Sequence, residues 1–138
     1  MKKGLFILFV LISSCSINQE EDLKKTLIVT DTYYGFVKSH SYEGVLNLFN
    51  EDVFKKMPKD VVLKNLNEFN LRFGNYIEHK LTNYAPVYHG SKLIHMKLEF
   101  EVSYDKIKTI EQFSLSCNDK DKMEILSYNL LTIDSSKK

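Results

Sequence analysis

Residues 94–104 read IHMKLEFEVSY, and this stretch decides the fold of the chain. Apolar side chains alternate in it with polar or charged ones; the apolar set is Ile94, Met96, Leu98, Phe100, Val102 and Tyr104. A period of two is typical of a β-strand with one face on a core and the other in water. Half-solvated strands of this kind belong to antiparallel sheets. We therefore predict a long antiparallel strand whose six apolar residues face inward.

Three further strands are predicted around this one. Residues 76–84 form a strand before it, with Pro86 as a bulge or edge break and residues 89–91 as the turn. Residues 110–117 and 123–133 follow it, and they flank a polar turn as a hairpin does. The second half of the chain is therefore predicted to be a four-stranded antiparallel meander.

The first half of the chain has a helical period. Asn18 can cap a helix that runs to about His40, and Glu21, three residues later, completes a capping box. One helical stripe consists of Leu23, Leu27, Thr30, Tyr34 and Val37. Residues 42–49 and a segment from Pro58 to a stop at Gly74 form two more helices. Helices followed by strands predict an α+β fold with N-terminal helices packed on one face of the sheet.

The first fifteen residues have the organisation of a secretory signal. Lys2 and Lys3 give a positive start, and residues 5–12 are apolar without interruption. This run is shorter than the roughly 20 residues that a membrane-spanning helix needs. Residues 12–15 read ISSC and resemble the bacterial lipoprotein box, an aliphatic and two small residues before a cysteine. The resemblance implies cleavage before Cys15 and a thioether-linked diacylglyceryl group on its sulfur.

The domain organisation follows from this interpretation. We expect a cleaved signal peptide at 1–14, a lipidated cysteine and short tether at 15–18, a single α+β domain at 19–133 and a disordered tail at 134–138. Two acyl chains make anchoring durable, so the protein is expected at the cell envelope. If the cell is Gram-negative, the expected place is the outer membrane, on its periplasmic or surface side. The alternative is an ordinary signal that releases a soluble protein, but cleavage sites seldom contain cysteine.

Composition argues against a nucleic-acid partner. The chain has 19 basic and 18 acidic residues, and loss of Lys2 and Lys3 leaves it near neutrality without a basic block. Hydrophobic content of 43% is typical of a folded globular domain. With Cys15 lipidated, Cys117 has no disulfide partner, and its alternation with Phe113 and Leu115 indicates a buried small hydrophobic residue.

Several short segments together resemble a known family. These are Tyr33-Tyr34, Ser41-Tyr42-Glu43, Leu48-Phe49-Asn50, Phe73-Gly74-Asn75 and residues 123–129, MEILSYN. Their succession over residues 19–133 looks like the cystatin-like, nuclear-transport-factor-2-like cone. The resemblance implies a curved sheet that wraps helices into a cone whose mouth can be a pocket. Small bacterial lipoproteins of uncharacterised role often carry this fold.

No catalytic or cofactor motif is recognisable. The glycines are too dispersed for a phosphate-binding loop, and CxxC, HExxH and nucleophile-elbow sequences are absent from the sequence. His79, His89 and His95 are interpreted as isolated surface histidines, because no cysteine or carboxylate completes a ligand set. Glu99 and Glu101 are assigned to a charged outer strand face. We therefore predict no metal and no cofactor.

Candidate pocket residues come from the resemblance. They are Tyr33, Tyr34, His40, Tyr42, Tyr76 and Tyr128, with Asp31 as the only acid identified nearby. Enzymes of this fold, such as ketosteroid isomerase and polyketide cyclases, place aspartate, histidine or tyrosine on the pocket wall. Tyrosine fills cores and lines pockets equally well, and no family catalytic residue can be carried over to a position of this chain.

Three functions are consistent with these features. The leading prediction is a membrane-anchored, non-enzymatic domain that binds a protein partner or an unknown small ligand. The first alternative is a small-molecule enzyme, isomerase-like or cyclase-like, that uses the cone pocket. The second is a structural accessory subunit that forms a homodimer through the exposed sheet face. A deep pocket with a buried, strongly perturbed aspartate or histidine would favour the enzyme.

Overall fold

The computed structural model describes residues 18–133, which form helices followed by strands. The helices are α1 (Gln19–Lys38), α2 (Tyr42–Leu46), α3 (Val53–Lys56) and α4 (Lys59–Phe73). The strands are β1 (Tyr76–His89), β2 (Lys92–Tyr104), β3 (Lys108–Cys117) and β4 (Met123–Thr132). The predicted α+β class is confirmed. The expected signal peptide, Cys15 and the tail at 134–138 lie outside the described residues.

The four strands form one curved antiparallel sheet in the order β1-β2-β3-β4, as predicted for a meander. β2 pairs with β1 on one side and with β3 on the other, so it lies in the interior of the sheet. Of its inward residues, Met96 and Val102 are completely buried, Leu98 and Phe100 are nearly so, and Tyr104 at the end of the strand is half-buried. α1 contacts β1, β2 and β4. The helices therefore cover one face of the sheet, and the core lies between the two layers.

The inward alternation of β2 fails at its first position, which corrects one prediction. Ile94 is 43% exposed, whereas its neighbour Leu93 is buried. The pairing with β1 passes from Val87 opposite His95 to Tyr88 opposite Leu93, so β2 has one extra residue there. A bulge of one residue turns the side chains that follow it to the opposite face. Ile94 is that extra residue.

β1 is longer than predicted and contains Pro86 without ending there. Pro86 pairs with Met96, and the strand continues to His89. Proline has no N–H for a ladder hydrogen bond, but β1 is an edge strand and has neighbours on one side only. The irregularity that was expected at Pro86 falls between Val87 and Tyr88 instead. Gly90, with φ of 61°, turns the chain into β2.

α1 begins where the capping pattern predicts. Asn18 Oδ1 accepts a hydrogen bond from the backbone N–H of Glu21 at 3.2 Å. The Asn18 amide in turn donates to Glu21 Oε2 at 2.8 Å, so the reciprocal bond goes to the side chain. The hydroxyl of Tyr88 in β1 donates a hydrogen bond to Asp22 Oδ2 at 2.9 Å. This bond fixes the start of α1 to the β1–β2 end of the sheet.

The second helix is shorter than predicted because its expected final turn bonds to β4. α2 ends at Leu46, and Phe49 forms a parallel bridge with Ile125. The N–H of Ile125 donates to Leu48 O at 2.8 Å, and the N–H of Asn50 donates to Ile125 O at 2.9 Å. These bonds replace the helical ones. Residues 48–50 therefore cover the beginning of the β4 edge.

Gly74 ends α4 in a conformation that is essentially restricted to glycine, with φ of 79° and ψ of −162°. A Cβ at this position would lie 2.7 Å from Asp105 Cβ.

We expect Gly74→Ala to lower the free energy of unfolding by about 2 kcal/mol. Gly35 is the matched control, since it lies in the interior of α1 with no atom near its missing Cβ. Gly35→Ala should raise stability by about 0.5–1 kcal/mol in the same urea titration. Equal effects at both sites would contradict this account.

Candidate functional site

A large cavity lies between α4 and β4, and we call it the α4–β4 cavity. Its volume is about 720 Å³. α4 supplies one wall, β4 supplies the opposite wall, and α1 and α2 supply the inner end. The apolar lining comprises Tyr33, Val45, Phe49, Val53, Met57, Val62, Leu66, Phe69, Phe73, Leu126, Tyr128 and Leu130. α4 packs on α2, which leaves this space between α4 and the sheet.

Polar and charged groups also line the α4–β4 cavity. Three are the asparagines Asn50, Asn65 and Asn129, and three are charged: Asp52, Lys56 and Arg72. Asp52 lies 2.5 Å from Lys55 Nζ, and this contact lowers the pKa of the Asp52 carboxyl below its ordinary value. The cavity thus combines apolar walls with a few polar groups, as small-ligand sites do.

The structure brings two of the six candidate residues together at the inner end of this cavity and places a third, Tyr42, in a small cavity beside it. Tyr33 and Tyr128 line it, and their ring centroids are 5.6 Å apart. Both also line a small adjacent cavity of about 20 Å³, which Tyr42 shares. Tyr33 comes from α1, whereas Tyr128 comes from β4 and pairs with Phe113. Burial raises the pKa of the Tyr33 hydroxyl well above its ordinary range, so this group stays protonated.

The other three candidates lie away from the α4–β4 cavity. Tyr34 is 1% exposed and belongs to the core. Tyr76 stacks on Tyr34 with a centroid distance of 5.4 Å. His40 is exposed, and its Nδ1 lies 3.0 Å from the hydroxyl of Tyr42. Within residues 18–133, none of the three lines the α4–β4 cavity, the small adjacent cavity or the depression on the outer sheet face.

A buried carboxyl group, Glu111 of β3, is the principal residue that the sequence interpretation missed. It is completely buried, although Asp31 was the only acid expected near the tyrosines. Tyr34 and Tyr104 donate hydroxyl hydrogen bonds to its two oxygens at 2.9 and 2.6 Å, and Thr109 donates at 2.9 Å. Burial raises the pKa of this carboxyl, and the surrounding hydroxyls partly offset that effect.

Glu111 also raises the pKa of the tyrosines around it. The pKa values of Tyr34 and Tyr104 are raised far above the ordinary range, first by burial and then by the negative charge of Glu111. Each hydroxyl therefore keeps its proton and remains a donor to the carboxylate. One signal in the sequence could have located Glu111. It alternates with Phe113 and Leu115, so the same period that predicted their burial predicts its own.

His79 is not an isolated surface histidine, which corrects another prediction. Its Nε2 lies 2.8 Å from Asp31 Oδ1, and its Nδ1 lies 2.5 Å from the hydroxyl of Tyr76. Its ring stacks on Tyr34 at 4.2 Å, and its side chain is 20% exposed. The sequence alone does not place Asp31 of α1 beside β1, so this pairing was not predictable from local pattern.

The raised pKa of Glu111 makes stability depend on pH. The folded protein retains the Glu111 proton at pH values where the unfolded chain has released it. The contribution of Glu111 to the unfolding free energy therefore falls as the pH rises above about 4.5. Glu111→Gln cannot release a proton. We expect the wild-type unfolding free energy to fall relative to that of Glu111→Gln as the pH rises from 4.5 toward the folded-state pKa. Urea titrations at a series of pH values measure this difference, and parallel curves would contradict it.

Other predicted features have simple outcomes in the described residues. Cys117 is half-buried, which is less than predicted, because it lies at the end of β3. Between residues 18 and 133, no cluster of three or more His, Cys, Asp or Glu side chains could hold a metal ion. The outer sheet face carries a polar depression of about 410 Å³ that includes Lys97, Glu99 and Gln112. A homodimer through this face stays a prediction.

One further property concerns membrane spanning. Among the helices of residues 18–133, none combines the length and apolar character that crossing a bilayer requires.

Comparison with known proteins supports the fold. No protein-family model matches the chain, and no curated protein matches it. A solved structure of a protein from Catenulispora acidiphila aligns with 83% of this chain and 93% of its own, with a TM-score of 0.57 and 12% identity. Likeness at this identity shows a shared fold alone. The chain is thus an α+β protein with helices on one face of a four-stranded antiparallel sheet.

Proposed function

We propose that the protein is a lipid-anchored envelope protein whose α+β domain binds an apolar small molecule in the α4–β4 cavity. The observation that carries the binding proposal is the cavity itself. Its volume of about 720 Å³ lies within the range of about 300–1,000 Å³ that is typical of ligand pockets. Its apolar lining remains partly in contact with water, since Met57 is 43% and Leu126 39% exposed. A ligand that covers these side chains gains the free energy of their burial.

The cystatin-like, nuclear-transport-factor-2-like cone is part of this proposal. Three features support it: the order of helices before a four-stranded meander, the curvature of the sheet, and a cavity at the open end between helix and strand. The lipid anchor is supported by the sequence of residues 1–15, which ends in the lipoprotein-like ISSC. Localisation at the envelope follows from the anchor.

Binding is preferred to catalysis because neither acid near the α4–β4 cavity suits a general base: Asp52 lines the cavity, but its contact with Lys55 lowers its pKa and therefore its basicity. Glu111, the buried acid, lines none of the three cavities described above, and Tyr33 and Tyr128 line the inner end of the α4–β4 cavity instead. A general base must reach the proton that it abstracts, directly or through one water. The enzyme alternative is favoured by one observation. Tyr128 lines the cavity, and its hydroxyl also lowers the pKa of the Glu111 carboxyl, so the two groups are close.

Two neighbouring valines of α4 provide the binding test. Val62 lines the α4–β4 cavity, whereas Val61 is 39% exposed and does not line it. The probe is Nile red, a neutral apolar dye whose fluorescence rises when it leaves water, and Cys15→Ala removes the lipid that would also bind it. On this background we expect saturable dye binding that Val62→Trp reduces about tenfold and Val61→Trp leaves unchanged. Absence of saturable binding would overturn the proposed binding function.

The anchor has a separate test with its own matched control. Cells that express the protein are labelled with radioactive palmitate, and the protein is then isolated. We expect label on the wild type and on Cys117→Ala, and none on Cys15→Ala, because the two cysteines are the only ones in the sequence. An unlabelled wild type would overturn the lipid anchor and leave the binding proposal standing.

A further inference from the structure

We infer that the ligand of the α4–β4 cavity is a fatty acid whose carboxylate is held by Arg72 and Lys56. The inference rests on the proposed function, because it assigns the chemistry of the ligand at that same cavity. The cavity is largely apolar, but the positive and negative side chains in its lining are unequal in number. The cavity lining contains two cationic side chains and one carboxylate, Asp52.

The two cations lack protein partners, whereas the carboxylate has one. Asp52 is in contact with Lys55, which does not line the cavity. Within residues 18–133, Lys56 and Arg72 form neither an ion pair nor a side-chain hydrogen bond. Five other lysines have carboxylate partners, namely Lys25, Lys55, Lys59, Lys64 and Lys108, whereas the remaining lysines of residues 18–133 have none, as Lys56 has none. The cavity lining therefore carries two cations against one carboxylate that is already in contact with Lys55, and this excess of positive charge is complementary to an anion.

Arg72 has a particular position and chemistry. It is the only arginine of the chain, and all the other lysine or arginine positions are lysine. Its guanidinium carbon lies 5.6 Å from the ring centroid of Phe73, and the Phe73 side chain is buried. This cation–π contact orients the guanidinium without neutralising it. The planar fork of a guanidinium matches the two oxygens of a carboxylate, which an ammonium group does not.

The rest of the cavity fits an acyl chain. Arg72 stands on the last turn of α4, and the apolar residues Leu66 and Phe69 of the same helix line the cavity toward its inner end. On the opposite wall, Leu126 and Leu130 of β4 add apolar surface. Each buried methylene of a ligand contributes about 0.8 kcal/mol, so a chain of several carbons provides the affinity and the head group provides the selectivity.

The test compares two ligands that differ in the head group alone. Dodecanoate and dodecanol share the same chain, and each is titrated below its aggregation limit against bound Nile red in the Cys15→Ala protein. We expect dodecanoate to bind about tenfold more tightly than dodecanol, because a charge-assisted bidentate bond replaces a neutral one. The advantage of dodecanoate should decrease as salt is added, since both cations are accessible to solvent.

Variants assign the effect to the two cations. Arg72→Gln should weaken dodecanoate about tenfold and change dodecanol by less than twofold; Lys56→Gln should weaken dodecanoate about threefold. Lys64→Gln is the control on the same helix, since Lys64 pairs with Glu68 and does not line the cavity. It should change neither ligand. Circular dichroism of each variant checks that the fold is intact.

The possible results separate the inference from the proposal beneath it. Equal binding of the acid and the alcohol, with Arg72→Gln inert, overturns the fatty-acid inference and leaves apolar binding in the cavity intact. Tighter binding of the acid that survives both substitutions overturns the assignment to Arg72 and Lys56. Failure of Nile red itself to bind overturns the proposed function.

Discussion

Replacement of Glu111 by alanine should lower the free energy of unfolding by about 3 kcal/mol. Three hydroxyl donors, from Tyr34, Tyr104 and Thr109, lose their acceptor in a buried site. An unsatisfied buried donor costs about 1–3 kcal/mol, and water that enters the vacated space offsets part of the sum. Glu111→Gln keeps one carbonyl oxygen as an acceptor, so its loss should be about 1 kcal/mol.

The measurement is urea unfolding followed by circular dichroism, since the chain has no tryptophan. Glu101→Ala on the outer face of β2 is the matched control. Glu101 is 43% exposed in its side chain and lies 3.6 Å from Lys108, so its removal should change stability by less than about 0.5 kcal/mol. An equal loss in Glu101→Ala and Glu111→Ala would show that the buried hydrogen bonds contribute nothing net.

Phe100→Ala should be the most destabilising of the apolar truncations considered, with a loss of about 4 kcal/mol. The Phe100 ring is 1% exposed and packs edge-on against Tyr34 and Phe113, with centroid distances of 5.7 and 5.9 Å. It also packs edge-on against the ring of His79 at 5.3 Å. Truncation of a buried phenylalanine costs about 3–5 kcal/mol, because the transfer free energy is lost and a cavity is left.

Phe54→Ala is the control for the same chemical change at a less buried position. Phe54 is half-buried in α3, 6.3 Å from the ring of Phe49. We expect its truncation to cost about 1 kcal/mol, which is proportionate to the smaller area that it buries. Thermal unfolding of both variants under identical conditions compares them. Comparable shifts in the midpoint would mean that the aromatic cluster around Phe100 tolerates the cavity by relaxation.

The sequence pattern predicted the fold because the main helices and strands form where short-range periodicity and capping residues favour them. The alternation in β2 predicted a strand, and the Asn18–Glu21 pair predicted the start of α1. The errors arose where distant backbone groups compete with local ones. Phe49 leaves the predicted helix because Ile125, far along the chain, offers backbone partners. The bulge at Ile94 depends on how β1 registers against β2, which periodicity within one strand does not specify.

The candidate site was predictable only in part. Tyr33, Tyr42 and Tyr128 were identified from a family-like pattern, and the structure places them together. Glu111 was missed because a carboxyl group in a sequence is assigned to the surface unless partners are visible. Its partners are Tyr34 of α1, 77 residues away, and Tyr104 and Thr109 at the adjoining strand ends. Such a hydrogen-bonded set exists only after α1 has packed on the sheet.

The two edges of the sheet differ in their capacity to accept a strand from another molecule. β1 has an extra residue at two register irregularities of its pairing with β2, and it contains Pro86; these features interrupt the regular row of donors and acceptors that an added strand would need. The first part of β4 is covered by residues 48–50. Among residues 18–133, nothing pairs with the outer side of the later part of β4, and there the strand borders the α4–β4 cavity. Fibrillar self-association through the β1 side is therefore disfavoured, and intermolecular strand addition would have to compete with whatever occupies the space beside β4.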